Sequence, residues 1–224
     1  MPKQYIAPTL TVDSVVFQII DNQLAVLVIR RANEPFKGDL ALPGGYCAEG
    51  ETTLTATQRI LSTKAGLSFE QVKYCEQLYT FDSVAADPRG QAVDVCYLGL
   101  GKDFKLSTSQ STESPAFHFV NDLPKLAYDH SHIVQYAHDR LKSKLTYTSA
   151  IFALLDTKFT LSELQSAYEA VLEQKLDKRN FRKKFLSLDM VHETNEMKKD
   201  GAHRPARLFE FNKPEIQILT RSFD

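Results

Sequence analysis

The stretch from Leu40 to Leu67 constrains this chain more than any other. It begins Leu40-Ala41-Leu42-Pro43-Gly44-Gly45, a short apolar run ending in a Pro-Gly-Gly turn that neither a helix nor a central strand accommodates in its interior. Thr52 or Thr53 can cap a helix running to about Ala65, and Gly66 stands just past its end, where a left-handed terminus favours glycine. On that helix positions 60, 63 and 64 are related as i, i+3 and i+4, so they share one face. The face carries Ile60, Thr63 and Lys64: an aliphatic group, a hydroxyl and an ammonium. Glycine-turn amides and a helix N-terminus attract anions, and Lys64 adds a cation on the Ile60–Thr63 face. The segment reads as a holder of phosphate, with Gly44, Gly45 and Lys64 as ligand-binding candidates.

The surrounding residues supply strands for such a unit. Val12 to Ile20 is rich in β-branched residues and is followed by an Asp21-Asn22 turn; Leu24 to Ile29 is continuously apolar, as a strand buried on both faces is. Gln77 to Phe81, Ala92 to Leu98 and Phe117 to Val120 are further strand candidates, and Asp129 to Leu145 is helical in pattern. Arg30 closes the second strand, Lys37 lies in Pro35-Phe36-Lys37-Gly38, and Arg89 lies in Asp87-Pro88-Arg89-Gly90 between two strands. Each offers a cation to a phosphate, and Phe81 offers a stacking surface to a base. Asp129-His130-Ser131-His132 reads as a helix start with Asp129 as cap and surface histidines; two histidines two residues apart do not share a helical face, and no metal site is expected. Ser107 to Thr112 is a polar loop by composition.

Beyond Leu145 the pattern changes, and the division between domains is placed there: residues 1–145 and 146–224. Ala150 to Leu155 is a short apolar helix, and Thr160 with Glu163 three residues on forms a capping box ahead of Leu161, Leu164, Tyr168, Val171 and Leu172 at helical spacing. A third helix starts near Asp177 with Phe181, Phe185 and Leu188 on its inner side. Its other side carries Arg179, Asn180, Lys183 and Ser187, with Arg182 at the flank, and Lys178 at the helix start joins them as a DNA-binding candidate. Arg reads guanine and Asn reads adenine in the major groove, so this is the composition of a recognition helix. The strands Val191 to Thr194 and Ala206 to Phe211 then enclose a wing-like stretch bearing Lys198, Asp200-Gly201, His203, Arg204 and Arg207, suited to backbone phosphates. Charge supports the division. Residues 175–213 hold eleven Lys or Arg against six Asp or Glu, a net of +5 inside a chain whose formal net charge is −1.

The 43% hydrophobic and 25% charged composition is that of a soluble globular protein, and three widely spaced cysteines suit a reducing compartment better than a disulfide framework. No apolar run approaches a membrane span. A cytoplasmic protein, nucleoid-associated through DNA binding, is the expectation.

From Gly45 to Leu67 the chain resembles the Nudix box, G-x5-E-x7-R-E-U-x-E-E-x-G-U with U a bulky apolar residue. Gly45, Glu51, Arg59, Leu61, Gly66 and Leu67 match, while Ile60, Thr63 and Lys64 replace three carboxylates. Those carboxylates hold Mg²⁺ against a diphosphate substrate, so the box predicts a Nudix shape with no catalytic residues. Over nearly its whole length the chain resembles the NrtR type of Nudix-related transcriptional regulators, most strongly through Pro35 to Gly38, Leu42 to Gly45, Asp87 to Gly90, Asp177 to Arg182 and His203 to Arg207. The resemblance implies an α/β (α+β) Nudix fold, a mixed sheet sandwiched by helices, followed by a C-terminal winged helix-turn-helix. It further implies a homodimer on a palindromic double-stranded DNA operator, no required cofactor, and an ADP-ribose-like effector, with sugar metabolites as the effectors of some relatives. Two other classes stay open on the residues alone: a Nudix hydrolase with relocated metal ligands, and a nucleotide-sensing module whose basic face meets an acidic protein.

Overall fold

The computed structural model describes residues 7–83, 87–107, 114–199 and 205–219. Residues 108–112 of the polar loop, the Asp200-Gly201 tip, His203 and Arg204 lie outside them.

Strand β1 (Thr9–Ile20) is the axis of the first domain. Its side chains alternate between faces: Val15 and Phe17 join one apolar cluster, Val12 and Val16 two others on the opposite side. The chain reverses at Asp21 and Asn22, both at positive φ (50° and 60°), the conformation of a tight hairpin turn, into β2 (Gln23–Arg30). Short strands β3 (Leu40–Ala41) and β4 (Gly44–Tyr46) precede helix α1 (Thr53–Ala65), with β5 (Val72–Ser83), β6 (Ala92–Gly101) and β7 (Pro115–Phe119) after it. Together they form one seven-stranded sheet, ordered β3-β2-β1-β6-β5, with β4 also on β1 and β7 also on β2. Strands β1 and β6 run parallel and the other pairs antiparallel, so the sheet is mixed. Strands β4 and β2 pair with opposite ends of β1, which leaves room between them at the sheet edge.

Thr52 caps α1 by accepting from the Thr55 amide, and Gly66 ends it in the left-handed conformation with its amide on Ser62 and that of Leu67 on Leu61. Strand β5 starts at Val72, ahead of the expected Gln77; irregularities between Val72 and Tyr74 and between Gln77 and Tyr79 break the two-residue alternation that would mark its first part in the sequence. Val120 falls in a 3-10 turn, not in β7.

Helix α2 (His130–Tyr147) runs through residue 145, so a division there would fall inside its last turn. Ala150–Leu154 is a 3-10 helix, and it leads into α3 (Leu161–Leu172), α4 (Lys178–Leu186) and the hairpin β8 (Val191–Lys198)–β9 (Ala206–Phe211). The capping box at Thr160 and Glu163 is formed in both directions. One apolar core joins the two parts: Phe17 of the sheet, Leu141 of α2, Tyr168 of α3 and Phe185 of α4 belong to the same cluster. The helix that leaves the sheet therefore contributes to a core shared with the C-terminal unit.

Candidate functional site

Strand β4, the face of α1 and the start of α2 enclose a cleft of about 500 Å³, within the range of small-molecule sites. Gly44 and Gly45 are strand residues paired with Asp13 and Val12, not the turn expected from the sequence, because without side chains they can lie close against Asp13 and Ile60. Glycine is required at its centre. A Cβ at position 44 would lie 1.5 Å from Asp13 Oδ1, and one at position 45 would lie 3.2 Å from Ile60 Cδ1.

The α1 face differs from a metal-binding one in packing as well as composition. Ile60 is 2% exposed and belongs to an apolar cluster with Val12, Ala56, Val95 and Tyr97. Thr63 turns its hydroxyl back to donate to the Arg59 carbonyl at 2.9 Å. Glu51, the one matched acid of the box, is held by Arg59 through two hydrogen bonds of 2.6 and 2.8 Å and by the Ala48 amide at 2.9 Å. The guanidinium hydrogen bond first, then the amide, bring the Glu51 carboxyl down to about 2. Arg59 also donates to the Tyr46 carbonyl, so the pair braces the loop against α1.

Of the ligand candidates, Gly44, Gly45, Lys64, Phe81 and Arg89 line the cleft. Arg30 and Lys37 are not among its lining residues. Arg30 is the last residue of β2 and donates to the Gly38 carbonyl at 2.7 Å; the next side chain along, Arg31, enters the cleft in its place. This is strand alternation at work: neighbouring side chains leave opposite faces. Arg31 donates to the carbonyls of Pro35 and Asn33 and sits over the Tyr128 ring, 5.0 Å from its centroid. Arg89 is clamped by Asp87 and lies 5.5 Å from the Tyr46 ring. The Asp87 hydrogen bond holds the Arg89 guanidinium above its ordinary value, so it stays charged. Arg31, Arg59, Lys64 and Arg89 thus set four cations about the opening.

The inner end carries acids. Thr11 and Asp13 of β1 lie opposite Asp94 and Cys96 of β6 in parallel register. Asp13, Asp94 and Cys96 are all buried, with donor atoms within 4.8 Å of one another. His130 is buried as well, which corrects the expectation of surface histidines: its Nδ1 accepts from the Leu42 amide at 2.9 Å and its Nε2 faces Asp13 Oδ2 at 3.2 Å. Asp129 occupies the cap position of α2, but its side chain makes no capping hydrogen bond. The signal for these residues in the sequence was a lone aspartate inside each of two apolar strands.

On the second unit, Asp177 caps α4 by accepting from the Asn180 amide at 2.8 Å. Glu169 of α3 accepts from the Leu176 amide, which fixes the turn between α3 and α4. Phe181 and Phe185 stack at 5.8 Å and pack on Tyr168, placing Lys178, Arg179, Asn180 and Lys183 on the exposed side. Arg182 instead reaches back to donate to Ser162 at 2.9 Å, so its role includes binding α4 to α3. Strand β9 is tied to Phe159 by paired amide–carbonyl bonds at Phe209, completing a small winged sheet. On the hairpin, Lys198 pairs with Glu163 and Arg207 with Glu193.

The NUDIX domain family matches residues 9–137, and the NrtR DNA-binding winged helix domain family matches residues 151–211. The ADPR responsive transcriptional repressor NtrR of Acinetobacter baylyi is 35% identical over 213 residues, covering 92% of this chain and 83% of that protein. An ADP-ribose pyrophosphatase of Methanocaldococcus jannaschii is 34% identical over 131 residues, 58% of this chain and 73% of its own. Among solved structures, Shewanella oneidensis NrtR complexed with a 27mer DNA superimposes with a TM-score of 0.81 at 31% identity, over 96% of this chain and 99% of that one. The NUDIX domain of the same protein complexed with ADP ribose gives a TM-score of 0.56 at 35% identity, over 63% and 93% respectively. With its Nudix and winged-helix units both matched and in this order, the chain belongs to the NrtR family of Nudix-related transcriptional regulators.

Proposed function

We propose that this protein is a DNA-binding transcriptional repressor whose Nudix domain senses ADP-ribose, or a closely related nucleotide, without hydrolysing it. The observation that carries the reading is the α1 face and the loop before it: Ile60 is buried in an apolar cluster and Glu51 is committed to Arg59, while Arg31, Lys64 and the Asp87-paired Arg89 stand around the opening. Such a cleft attracts a diphosphate and offers no helix carboxylates to hold a metal beside it. The repressor and the ADP-ribose-bound NUDIX domain among its relatives support the same effector. ADP-ribose is a product of NAD consumption, so genes of NAD metabolism are the natural targets.

Two copies, with recognition helices α4 about 34 Å apart, would grip a two-fold operator through Arg179, Asn180 and Lys183 in successive major grooves. Coupling between the sites runs along α2. His130 at its start touches Asp13 in the cleft, and His138 further along bonds to Val171 of α3. A ligand that prefers a different setting of α2 shifts the population away from the DNA-competent form, by no more than its differential affinity.

The test is retardation of the upstream region of the protein's own operon at moderate salt, with and without ADP-ribose, followed by chromatography of the nucleotide after incubation with Mg²⁺. Specific retardation, relief by ADP-ribose and intact nucleotide are expected. Absence of specific retardation refutes the regulator. Turnover abolished by Glu51→Gln makes the protein a hydrolase, in line with its pyrophosphatase relative.

A further inference from the structure

The winged unit divides its charge unevenly. Residues 178–186 of α4 hold five Lys or Arg and no acid, whereas residues 191–211 of the hairpin hold four Lys or Arg against four Asp or Glu. Within the two strands the Lys and Arg side chains are already held by carboxylates. Arg207 of β9 pairs with Glu193 of β8, and Lys198 of β8 reaches back to Glu163 in the first turn of α3. We propose that Glu193 is a brake on DNA binding: it holds Arg207 as an internal counterion in the free protein and surrenders it to a backbone phosphate on docking. The proposal rests on the reading of the protein as a DNA-binding regulator and adds a device that sets how tightly it grips any duplex.

Strand register makes the pair. Glu193 lies opposite Phe209, and Arg207, two residues from Phe209, leaves the same face of the hairpin on the diagonal. Diagonal neighbours are within reach of long side chains of opposite charge. Beyond Glu193 the register slips, so that Met197 and not Asn195 faces Arg207. The Thr194 hydroxyl closes the slip by donating to the Leu208 carbonyl at 3.0 Å. Glu193 is thus the acid that the ladder presents to Arg207, while Glu196 turns to Lys158 and Glu163 is shared between Lys198 and the capping box of α3.

Magnitudes favour exchange over permanent pairing. The side chains of Arg207 and Glu193 are 64% and 43% exposed, and an exposed ion pair shifts an equilibrium by no more than about fivefold. A duplex phosphate competes with it effectively, because a cation that neutralises the phosphate also releases a condensed counterion. The exchange therefore proceeds, and breaking the pair is subtracted from the affinity. The carboxylate left behind takes up a salt cation as the phosphate gives one off, so affinity falls less steeply with salt than the number of wing cations implies. Phosphates carry no sequence information, so the brake acts equally on every duplex and leaves sequence reading to α4. It suits a regulator that must be released: a coupling of about 5- to 150-fold empties an operator only if the grip is not too tight to begin with.

The experiment is fluorescence anisotropy of the full-length chain with its operator duplex and with a scrambled duplex of equal length, between about 50 and about 200 mM salt. Glu193→Gln keeps the shape and removes the charge. It should tighten both duplexes about three- to tenfold, hold their ratio within about twofold, and steepen the slope of log affinity against log salt by about one. Glu196→Gln is the control: it makes the same charge change on the same strand, but its partner Lys158 lies outside the hairpin and keeps Glu210 at 3.7 Å. Its gain should stay below about twofold. In an Arg207→Gln background the gain from Glu193→Gln should shrink to that of the control, and unchanged melting temperatures show the variants folded. Equal gains from Glu193→Gln and Glu196→Gln overturn the brake, because overall charge then governs affinity. A gain undiminished by Arg207→Gln overturns it as well. So does a Glu193→Gln variant, folded or not, that binds no tighter than wild type, since the pair then braces the wing in its binding shape. Failure of wild type to bind either duplex overturns the regulator reading itself.

Discussion

His138→Leu probes the joint between the two halves of the protein. His138 is 2% exposed, and its Nε2 lies 2.8 Å from the Val171 carbonyl. A carbonyl accepts, so Nε2 carries the hydrogen. Val171 lies in the last turn of α3, where carbonyls have no partner within the helix, and His138 supplies the missing donor. Leucine keeps most of the bulk and removes the donor, leaving a buried carbonyl unsatisfied at a cost of about 1–3 kcal/mol. For a chain of this size each kcal/mol lowers the melting temperature by about 2–4 °C. The assay is urea denaturation with operator binding followed in parallel. Acid adds a second arm. Burial holds the His138 imidazole below its ordinary 6.5, so the unfolded chain binds the proton more readily than the folded one. The stabilisation is complete above that value and declines as pH falls through and below it. The gap between wild type and variant should therefore narrow on acidification, because leucine has no proton to take up. Identical midpoints at pH 7.5, or a gap unchanged on going to pH 5, would show that this hydrogen bond does not stabilise the joint.

Three further perturbations separate the two sites. Asn180→Ala should weaken binding to the specific duplex by about 1–3 kcal/mol, as loss of a base contact does, with ADP-ribose affinity unchanged in calorimetry. Phe185→Ala removes a fully buried ring packed against Tyr168, Phe181 and Phe211 and should cost about 3–5 kcal/mol in calorimetric stability, with operator affinity falling as the wing loosens. Lys64→Glu should weaken ADP-ribose at least tenfold, since an attraction of order 1 kcal/mol becomes a repulsion of about the same size, while operator affinity without effector is retained.

What could be read from the chain alone divides by distance along it. The hairpin at Asp21-Asn22, the caps at Thr52 and Thr160, the Gly66 terminus and the phenylalanine stripe of α4 are set by neighbours within a turn or two, and their patterns are visible in a row of letters. The acidic end of the cleft is not visible there. Asp13 and Asp94 meet only through the parallel pairing of β1 with β6, and each taken alone is one polar residue in an apolar run. His130 looked like a surface histidine because its partners, Leu42 and Asp13, are remote in sequence. Arg30 and Arg31 are one residue apart, yet the choice between them depends on which face the end of β2 turns to the cleft. Arg182 reads as a DNA-facing cation in the sequence because its partner, Ser162 of α3, is twenty residues away.

In the mechanism proposed above, one ligand-holding cleft governs one DNA-gripping surface. Its most direct test measures the coupling from both sides on the full-length protein: operator affinity with and without saturating ADP-ribose, and ADP-ribose affinity with and without saturating operator. Linkage requires the two ratios to be equal, and a coupling of about 1–3 kcal/mol sets them between about 5- and 150-fold, each ligand weakening the other. Operator affinity that ADP-ribose leaves unchanged, with ADP-ribose shown to be bound, would contradict it.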